Sequence, residues 1–324
     1  MGIVTGYLPG RASALAAAAA IATAALGSAA SAQQFVNVLT GGTSGVYYPL
    51  GAGLANIYAE NMDGVRTQVQ STKASVENLN LLQQGRGEIA FALGDSVAAA
   101  WEGDAEAGFD APLDQLRGIA GIYPNYIQLV ALGDSGVATL SDLSGKAVSV
   151  GAPASGTELN ARAIMDAAGM SYDDLGKTEY LPFAESVELM KNRQLDVTLQ
   201  SAGLGVASIR DLSASVPITV VEIPAEIAET LGAPYQAATI PGGTYDGQDA
   251  DVATVAVGNY LVSHAGVSDD VAYEMTRLLF ENLETLTNAH QAAAAIDVQT
   301  ALDGMPIPLH PGAERYYREQ GLID

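Results

Sequence analysis

Short apolar segments alternate with amphipathic helical patterns over the first part of the chain. Residues 35–39 predict a buried strand, and Val46 and Leu50 begin a helical repeat after it. Val65–Gln70 alternates between apolar and polar positions as strands do, and residues 88–93 form a third apolar segment. Each segment precedes a predicted helix, so we expect a parallel sheet with helices on its faces.

The same alternation returns in the second half of the chain. Leu116–Leu132 predicts two extended segments separated by Tyr123-Pro124-Asn125, the second of which enters a new domain. Val252–Val262 predicts a strand that returns to the first domain, and the C-terminal part is helical, with two short helices around Pro306–Pro311. Between these segments we predict the following strands and helices: strands near 178–181, 195–200, 218–221 and 237–240, and helices near 183–192, 205–211 and 225–231.

The turn between the first strand and the first helix is rich in glycine and hydroxyl residues. Thr40–Gly51 reads TGGTSGVYYPLG. The glycines predict a sharp turn and a close approach to a ligand, and Thr43 or Ser44 can cap the helix. A helix N-terminus offers free N–H groups and a partial positive charge, which suit a small anion. A well-capped turn without a ligand explains this stretch alone equally well.

A second turn of the same kind favours a ligand site. Gly151–Thr157 reads GAPASGT, follows the predicted strand Ala147–Val150, and precedes a helix that we place from about Glu158 to Gly169. Ligands of such sheets bind at the carboxyl ends of the strands. If the two turns face each other across a cleft, they form one site from two halves.

The N-terminal residues have the features of a secretory signal peptide. Arg11 precedes an alanine-rich run from residue 12 to 30, and Ala30-Ser31-Ala32 fits the cleavage pattern, so the mature chain begins at Gln33. An uncleaved membrane anchor is the alternative. No later stretch is apolar enough to span a bilayer, and the chain has no cysteine. We therefore expect a periplasmic protein without direct membrane insertion after cleavage.

The charge of the chain limits its partners. It has 14 basic and 37 acidic residues, a net charge of −23, which becomes −24 when Arg11 is removed with the signal peptide. This charge argues against nucleic acid and anionic membrane surfaces as partners. A small anionic ligand is still possible, because charges beyond roughly 8–10 Å are largely screened at physiological salt.

Several chemistries are not supported by the spacing of the residues. Gly151–Gly156 has the spacing of a phosphate-binding loop, but Thr157 stands where the lysine is required. Gly133–Gly136 resembles the nucleophile turn of serine proteases, whose fold lacks the many helices predicted here. The three histidines lie too far apart for a zinc site, and Asp246–Asp251 lacks the spacing of a calcium loop. We predict no catalytic residues, no metal and no cofactor.

Several ordered segments resemble the TAXI family, the extracytoplasmic solute receptors of one branch of TRAP transporters. The match extends over essentially the whole mature chain. The segments that carry it are Gly41–Pro49, Ala74–Leu79, Gly151–Arg162, Pro241–Tyr245, Thr254–Val257, Leu279–Leu283 and Pro308–Ala313.

This resemblance implies an α/β, two-lobed type II periplasmic-binding-protein fold with a hinge and a central cleft. Residues 1–32 would be the signal peptide, 33–122 and 245–324 lobe I, and 123–244 lobe II. The ligand would be a small carboxylate such as glutamate, glutamine or 2-oxoglutarate. The receptor would deliver it to TRAP membrane subunits that use an ion gradient, typically of sodium.

The resemblance also implies a set of ligand-binding residues. From lobe I these are Thr43, Ser44, Tyr48, Ser75 and Asn78; from lobe II Ser155, Gly156, Thr157 and Gln200; and, near the hinge or more weakly, Tyr123 and Tyr235. Lys73 departs from the small residue expected there, and it is either solvated or paired with a ligand carboxylate. Gln200-Ser201 is more polar than expected, so specificity for glutamate does not transfer simply.

Two other functions remain open at this stage. One is a binding protein of the same fold that serves an ABC importer and carries a heterocyclic or sulfonate ligand. The other is an exported enzyme. It is the least supported hypothesis, because the sequence shows no nucleophile beside a base.

Overall fold

The computed structural model describes residues 1–3, 5, 6 and 34–324. The predicted alanine-rich run and cleavage site lie outside the described residues. Within them, ten strands and ten α-helices alternate along the chain. None of the helices in this part of the chain is long and apolar enough to cross a membrane.

The strands are short except for two. In chain order they are β1 (Gln34–Leu39), β2 (Val65–Gln70), β3 (Ile89–Leu93), β4 (Leu116–Leu132), β5 (Ala147–Ser149), β6 (Lys177–Glu179), β7 (Val197–Ala202), β8 (Ile218–Val221), β9 (Tyr235–Ile240) and β10 (Val252–His264).

Ten α-helices and three short 3₁₀ helices connect the strands. The α-helices are α1 (Tyr47–Asn61), α2 (Ser75–Gln83), α3 (Gly94–Glu102), α4 (Gly156–Ala167), α5 (Phe183–Lys191), α6 (Ala207–Ser215), α7 (Ala225–Leu231), α8 (Asp269–Glu281), α9 (Leu283–Ala289) and α10 (Pro311–Glu319); the 3₁₀ helices are Leu140–Leu143, Tyr172–Asp174 and Gln291–Ala295.

The strands form one curled sheet in the order β2-β1-β3-β10-β4-β7-β5-β6, with β8 beside β4 and β9 beside β10. The pairs of β1 with β2 and β3 are parallel, and so are the pairs of β5 with β6 and β7. The predicted strand–helix repeats therefore build two parallel groups, as expected for crossover connections.

Two long antiparallel strands join these groups. β10 pairs with β3 and with the first part of β4, whereas the second part of β4 pairs with β7 and β8. We call the group around β1–β3, with α1–α3 and α8–α10, lobe I. The group around β5–β9, with α4–α7, is lobe II. β4 and β10 pair with each other and run together from one lobe into the other, with Asn125 opposite Val257.

The prediction of two extended segments in Leu116–Leu132 is wrong, because the stretch is one strand of 17 residues. Pro124 lies within it opposite Gly258, and the register with β10 shifts next to this point. Proline cannot donate a ladder hydrogen bond, so it is tolerated where the pairing is irregular. The prediction of two helices around Pro306–Pro311 is also wrong, since a single α-helix, α10, begins there.

One buried apolar cluster lies mainly within each lobe, and a third contains residues of both, such as Leu50 of α1 and Ile209 of α6. In lobe I, α2 and α3 pack on the sheet through Leu79, Val97 and neighbouring residues. In lobe II, Val148 of the sheet packs with Ile164 of α4 and Leu199 of β7. The lobe boundaries proposed from sequence, at residues 122/123 and 244/245, remain a prediction, although the first falls within β4 where the strand passes between lobes.

Candidate functional site

A cavity of about 300 Å³ lies between the two lobes, and both glycine-rich turns line it. We call Thr40–Val46 the first glycine loop and Val150–Ser155 the second. Thr43 and Ser44 line the cavity from lobe I, and Gly156 and Thr157, at the start of α4, line it from lobe II. The two turns, which lie at the carboxyl ends of β1 and β5, thus share one crevice.

The first glycine loop leaves the start of α1 without a side-chain cap. The N-cap residue is Val46, and no side chain bonds to the first-turn N–H groups, so the prediction that Thr43 or Ser44 caps this helix is wrong. Gly41, Gly42 and Gly45 are not in the left-handed region of backbone space. The glycines are therefore not required for the backbone angles of this turn. Their lack of side chains leaves room in the cavity that they line.

The second glycine loop is held by its own side chains. Gly151 has φ of 101°, and a Cβ there would lie 2.7 Å from Cγ2 of Thr157, so this turn requires glycine. The hydroxyl of Ser155 accepts the N–H of Glu158 at 3.2 Å, and this bond caps α4. The N–H groups of Gly156 and Thr157 precede the capped one and belong to the same first turn.

A third turn completes the lobe I wall. Ser71–Ser75, between β2 and α2, lines the cavity, and Ala74 has φ of 78°. Ser75 lies under this turn, where its hydroxyl accepts the N–H of Leu93 at 3.1 Å. Lys73 is exposed at the cavity wall, and only its backbone N–H is bound, by the carboxylate of Glu77 at 2.6 Å.

The floor of the cavity is a chain of amide groups that runs between the lobes. The hydroxyl of Tyr47 in α1 donates to Oδ1 of Asn259 in β10. Nδ2 of Asn259 donates to Oδ1 of Asn125 in β4 at 2.6 Å, and Nδ2 of Asn125 donates to the carbonyl of Ser201 in β7 at 3.0 Å. Because these groups satisfy one another, they fix the floor where the long strands cross.

Two buried hydroxyls near this floor have no hydrogen-bond partner among the described residues. Oγ of Ser201 lies at the cavity lining, and Oη of Tyr123 lies next to the floor, where Tyr123 is 2 % exposed. Unpartnered buried polar groups are rare in folded proteins. The Ser201 hydroxyl is therefore available to a polar group in the cavity.

The charges at the cavity are few and balanced. Among the described residues, Lys73 of lobe I and Glu185 of lobe II are the charged ones that line the cavity, and no arginine lines it. Burial raises the pKa of Tyr47 above its ordinary value, so its hydroxyl is a neutral donor. With equal and opposite side-chain charges, the hydroxyls and the first-turn N–H groups are the main attraction for an anion.

Seven of the twelve residues predicted from sequence line the cavity: Thr43, Ser44, Lys73, Ser75, Ser155, Gly156 and Thr157. Five do not line it: Tyr48, Asn78, Tyr123, Gln200 and Tyr235. Tyr47, the neighbour of Tyr48, lines the cavity instead.

Three of these five residues make structural hydrogen bonds instead. Asn78 is buried and donates to the carbonyls of Thr40 and Phe91 at 2.7 and 2.9 Å, which ties α2 to the sheet. Gln200 is buried and accepts the hydroxyl of Ser208 at 2.6 Å. Tyr235 reaches lobe I and bonds Asp95, as described below.

Five lining residues that shape the site are not predicted from the sequence: Tyr47, Asn125, Phe183, Glu185 and Ser201. Asn125 lies in a largely apolar strand sequence, and a polar residue there is a signal for a buried network. Phe183 begins α5 and lies 3.8 Å from the place where a Cβ on Gly45 would stand, so it covers the first glycine loop from lobe II. Nothing in the local sequence indicates that contact.

The two lobes are in contact on the cavity side. The N–H of Glu77 in α2 donates to the carbonyl of Ala154 at 3.2 Å, and the N–H of Ser208 in α6 donates to the carbonyl of Ser44 at 3.4 Å. Ala154 has φ of 59°, a conformation that alanine rarely adopts. The two lobes are thus bonded to each other both between α2 and the second glycine loop and between α6 and the first glycine loop.

The protein-family comparison gives one match that extends over most of the chain. The model described as the NMT1-like family matches residues 38–321.

Solved structures share the fold at low sequence identity. PhnD1 of Prochlorococcus marinus, solved with methylphosphonate, aligns with a TM-score of 0.58 and 10% identity over 90% of this chain and 100% of its own. A binding protein component of an ABC phosphonate transporter from Pseudomonas aeruginosa aligns with a TM-score of 0.53 and 10% identity, over 84% and 83%. The alkanesulfonate-binding protein SsuA of Xanthomonas axonopodis pv. citri has 16% identity over 88% and 83%, with a TM-score of 0.48. The predicted two-lobed binding-protein fold with a central cleft is confirmed.

Proposed function

The chain belongs to the NMT1-like family, and from this premise we propose that it is an extracytoplasmic solute-binding protein that encloses a small anion and delivers it to membrane transporter subunits. The observation that carries the proposal is the shared cavity, in which the two glycine loops meet from opposite lobes. Transport is favoured over catalysis because the lining contains no nucleophile held by a base.

The lining favours a ligand with a single negative charge or a zwitterion. Lys73 and Glu185 cancel, so a doubly charged anion would have to be neutralised by dipoles alone. Each helix start contributes about 0.3–2 kcal/mol, and each charge-assisted hydrogen bond about 1.5–3 kcal/mol. Micromolar binding requires about 8 kcal/mol, which two helix starts and several hydroxyls supply for one carboxylate or sulfonate.

A more specific version of the proposed function is a TRAP receptor of the TAXI type. Its ligand would be glutamate, glutamine or a 2-oxoglutarate-like carboxylate. The sequence segments at the two glycine loops support it, and both segments line the cavity. Lys73 and Glu185 face a ligand from opposite lobes, which suits an amino acid with a carboxylate and an ammonium group.

The second candidate is a binding protein of an ABC importer with a sulfonate or heterocyclic ligand. The comparisons support this candidate better than the TRAP form, since one structural neighbour is titled as part of an ABC phosphonate transporter and none of those named above as a TRAP receptor. At 10% identity, however, that likeness extends to the fold and not to the ligand.

Titration calorimetry on the chain from Gln33 distinguishes these forms. The panel is L-glutamate, L-glutamine, 2-oxoglutarate, ethanesulfonate and methylphosphonate. We expect micromolar binding of a carboxylate or the sulfonate, and weaker binding of methylphosphonate because of its higher charge. Heat from the carboxylates alone supports the TRAP form, and heat from ethanesulfonate alone supports the ABC form.

A matched pair of variants tests whether the measured heat comes from ligand binding in the cavity. Ser201→Ala removes the unpartnered hydroxyl at the cavity lining and should weaken binding by about tenfold. Ser215→Ala removes an exposed hydroxyl of α6 and should leave binding unchanged. If no member of the panel gives heat at millimolar concentration, the ligand class is wrong.

A further inference from the structure

A carboxyl group of lobe I is shared with two side chains of lobe II one helical turn behind the cavity. Asp95 is in the first turn of α3, two residues after Leu93 of the lining. Its Oδ2 accepts Nδ2–H of Asn160 in α4 at 2.6 Å and the hydroxyl of Tyr235 in β9 at 2.7 Å. Its Oδ1 accepts the N–H of Ser96 at 2.8 Å. These are the side-chain bonds that most directly join α3 to lobe II.

The surroundings of this carboxyl contain no positive charge to pair with it. None of the ion pairs among the described residues includes Asp95, and Arg162, the cation of α4, is bound to Glu158 at 2.7 Å. Asn160 is fully buried, and its Oδ1 has no partner in the part of the chain that the structure describes. Burial raises the pKa of Asp95 above its ordinary value, against the opposing effect of its hydrogen bonds.

The titratable groups that face Asp95 are tyrosines. Tyr235 bonds it directly, and Tyr47 of α1 lies near enough that the carboxylate raises its pKa. Tyr260 of β10 packs against the start of α3, with its hydroxyl bound to the carbonyl of Asp303 at 2.9 Å. Among the other elements against α3, β3 has no titratable side chain, and Glu77 of α2 bonds the N–H of Lys73. Burial and Asp95 both raise the pKa of Tyr235, so it stays a neutral donor.

We propose that Asp95, Asn160 and Tyr235 form a latch that holds the two lobes together, and that closing the latch takes up one proton at Asp95. The geometry behind it is a buried carboxyl of one lobe that bonds two uncharged side chains of the other, at 2.6 and 2.7 Å. Nδ2 of Asn160 also donates to the hydroxyl of Tyr235 at 3.2 Å. With the proton on Oδ1 of Asp95, which lies 3.5 Å from the hydroxyl of Ser96, Oδ2 keeps its bonds to both lobe II side chains. Tyr235 continues to donate to the same carboxyl oxygen.

The sign of the pH effect follows from where the proton binds. When the lobes separate, Asp95 meets water and its pKa returns to about 3.9. The closed form therefore binds more protons between that value and the raised pKa of Asp95. Closure should strengthen as pH falls through this window, by up to about tenfold per pH unit for one linked proton. Above the raised pKa, closing the lobes buries a charged group.

Energy transfer between labelled lobes tests the latch without any ligand. The chain contains no cysteine, so Glu60→Cys in α1 and Glu226→Cys in α7, both exposed, place one dye on each lobe. In single molecules of the native sequence, the closed fraction should rise as pH is lowered through the raised pKa of Asp95 toward about 3.9, the ordinary value. Asp95→Asn should be closed to the same high fraction at every pH, because its neutral amide replaces the protonated carboxyl.

Two further variants test whether the pH response comes from Asp95 and its hydrogen bonds. Tyr235→Phe removes a donor to the ionised carboxylate, so the pH at which the lobes close should move upward. Asp110→Asn removes an exposed lobe I carboxylate and should keep the native pH response. The proposal is overturned if Asp95→Asn retains that response, if the native protein shows none, or if Asp95→Asn is more open than the native protein at about pH 8.

The latch rests on the proposed function, because it requires lobes that open and close. Different results would contradict the latch and the binding-protein function. If the dyes keep one separation at every pH and with each compound of the calorimetric panel, the lobes do not move and the binding-protein function fails. If a panel compound closes the lobes while pH acts independently of Asp95, the latch alone is wrong.

Discussion

The first glycine loop, Thr40–Val46, and the second, Val150–Ser155, both follow a parallel strand and lead into a helix that begins at the cavity. Their local structures differ. The start of α1 has no side-chain cap, and none of the glycines before it has a left-handed backbone. The start of α4 is capped by Ser155, and Gly151 can only be glycine. The same sequence signature thus marks a helix start without a side-chain cap in lobe I and a helix start that is capped by its own loop in lobe II.

This difference indicates that the two loops have different roles in ligand binding. The first-turn N–H groups of α1 have no competing side chain, so they are available to an anion. The second loop is rigid, and Gly156 brings α4 against lobe I, where a Cβ would lie 2.6 Å from Cδ1 of Leu93 and 2.7 Å from Oγ of Ser75. We infer that the first loop holds the charge of the ligand, and that the second loop closes over it.

The largest effect should come from a side chain placed where the lobes touch. Gly156→Val should weaken ligand binding by about a hundredfold or more, because its methyl groups hold Leu93 and Ser75 away from α4. The unfolding temperature should change little, since Gly156 is not among the residues of the buried apolar clusters. Calorimetry with the panel compound that binds, together with thermal unfolding, measures both quantities.

A valine in the other loop is the matched control. Gly42 also lines the cavity, but a Cβ there has no atom within 4 Å. Gly42→Val should therefore weaken binding less than Gly156→Val does. Equal losses in the two variants would show that both loops close on the ligand in the same way, and the distinction between them would disappear.

The smallest effect concerns the cap. Ser155→Ala should lower the free energy of unfolding by about 1 kcal/mol, because the N–H of Glu158 loses its acceptor. Thr43→Ala in the first loop should leave it nearly unchanged, since no cap exists there. Urea unfolding of both variants gives the two values. A larger loss for Thr43→Ala than for Ser155→Ala would reverse the comparison.

Much of the fold could be predicted from periodicity. The helix Ala225–Leu231 and the strand Ile218–Val221 have the bounds that the sequence predicts, and Val252–His264 extends the predicted strand by two residues. Each of these segments has a clear local pattern with turn residues at its ends. The continuous strand β4 was missed because Pro124 normally interrupts a strand, and only the pairing with β10 shows that it does not.

The site was predictable where it is made of turns and not where it depends on contacts between lobes. The hydroxyl residues of both glycine loops stand out in sequence, and Ser44 and Thr157 do line one cavity. Tyr48 and Tyr47 are adjacent, and local sequence does not determine which of them faces inward. Tyr235 is predicted near the ligand, whereas it bonds Asp95, 140 positions away, and no local pattern indicates such a pair.

Hydrogen exchange of the backbone amides tests most directly whether the two loops form one site. On saturation with the panel compound that binds, peptides that contain residues 41–48 and 154–158 should both become protected, the first more strongly because its N–H groups contact the anion. Peptides from the far ends of the lobes should exchange as before. Protection of only one loop, or of neither, while calorimetry still reports binding, would contradict the account.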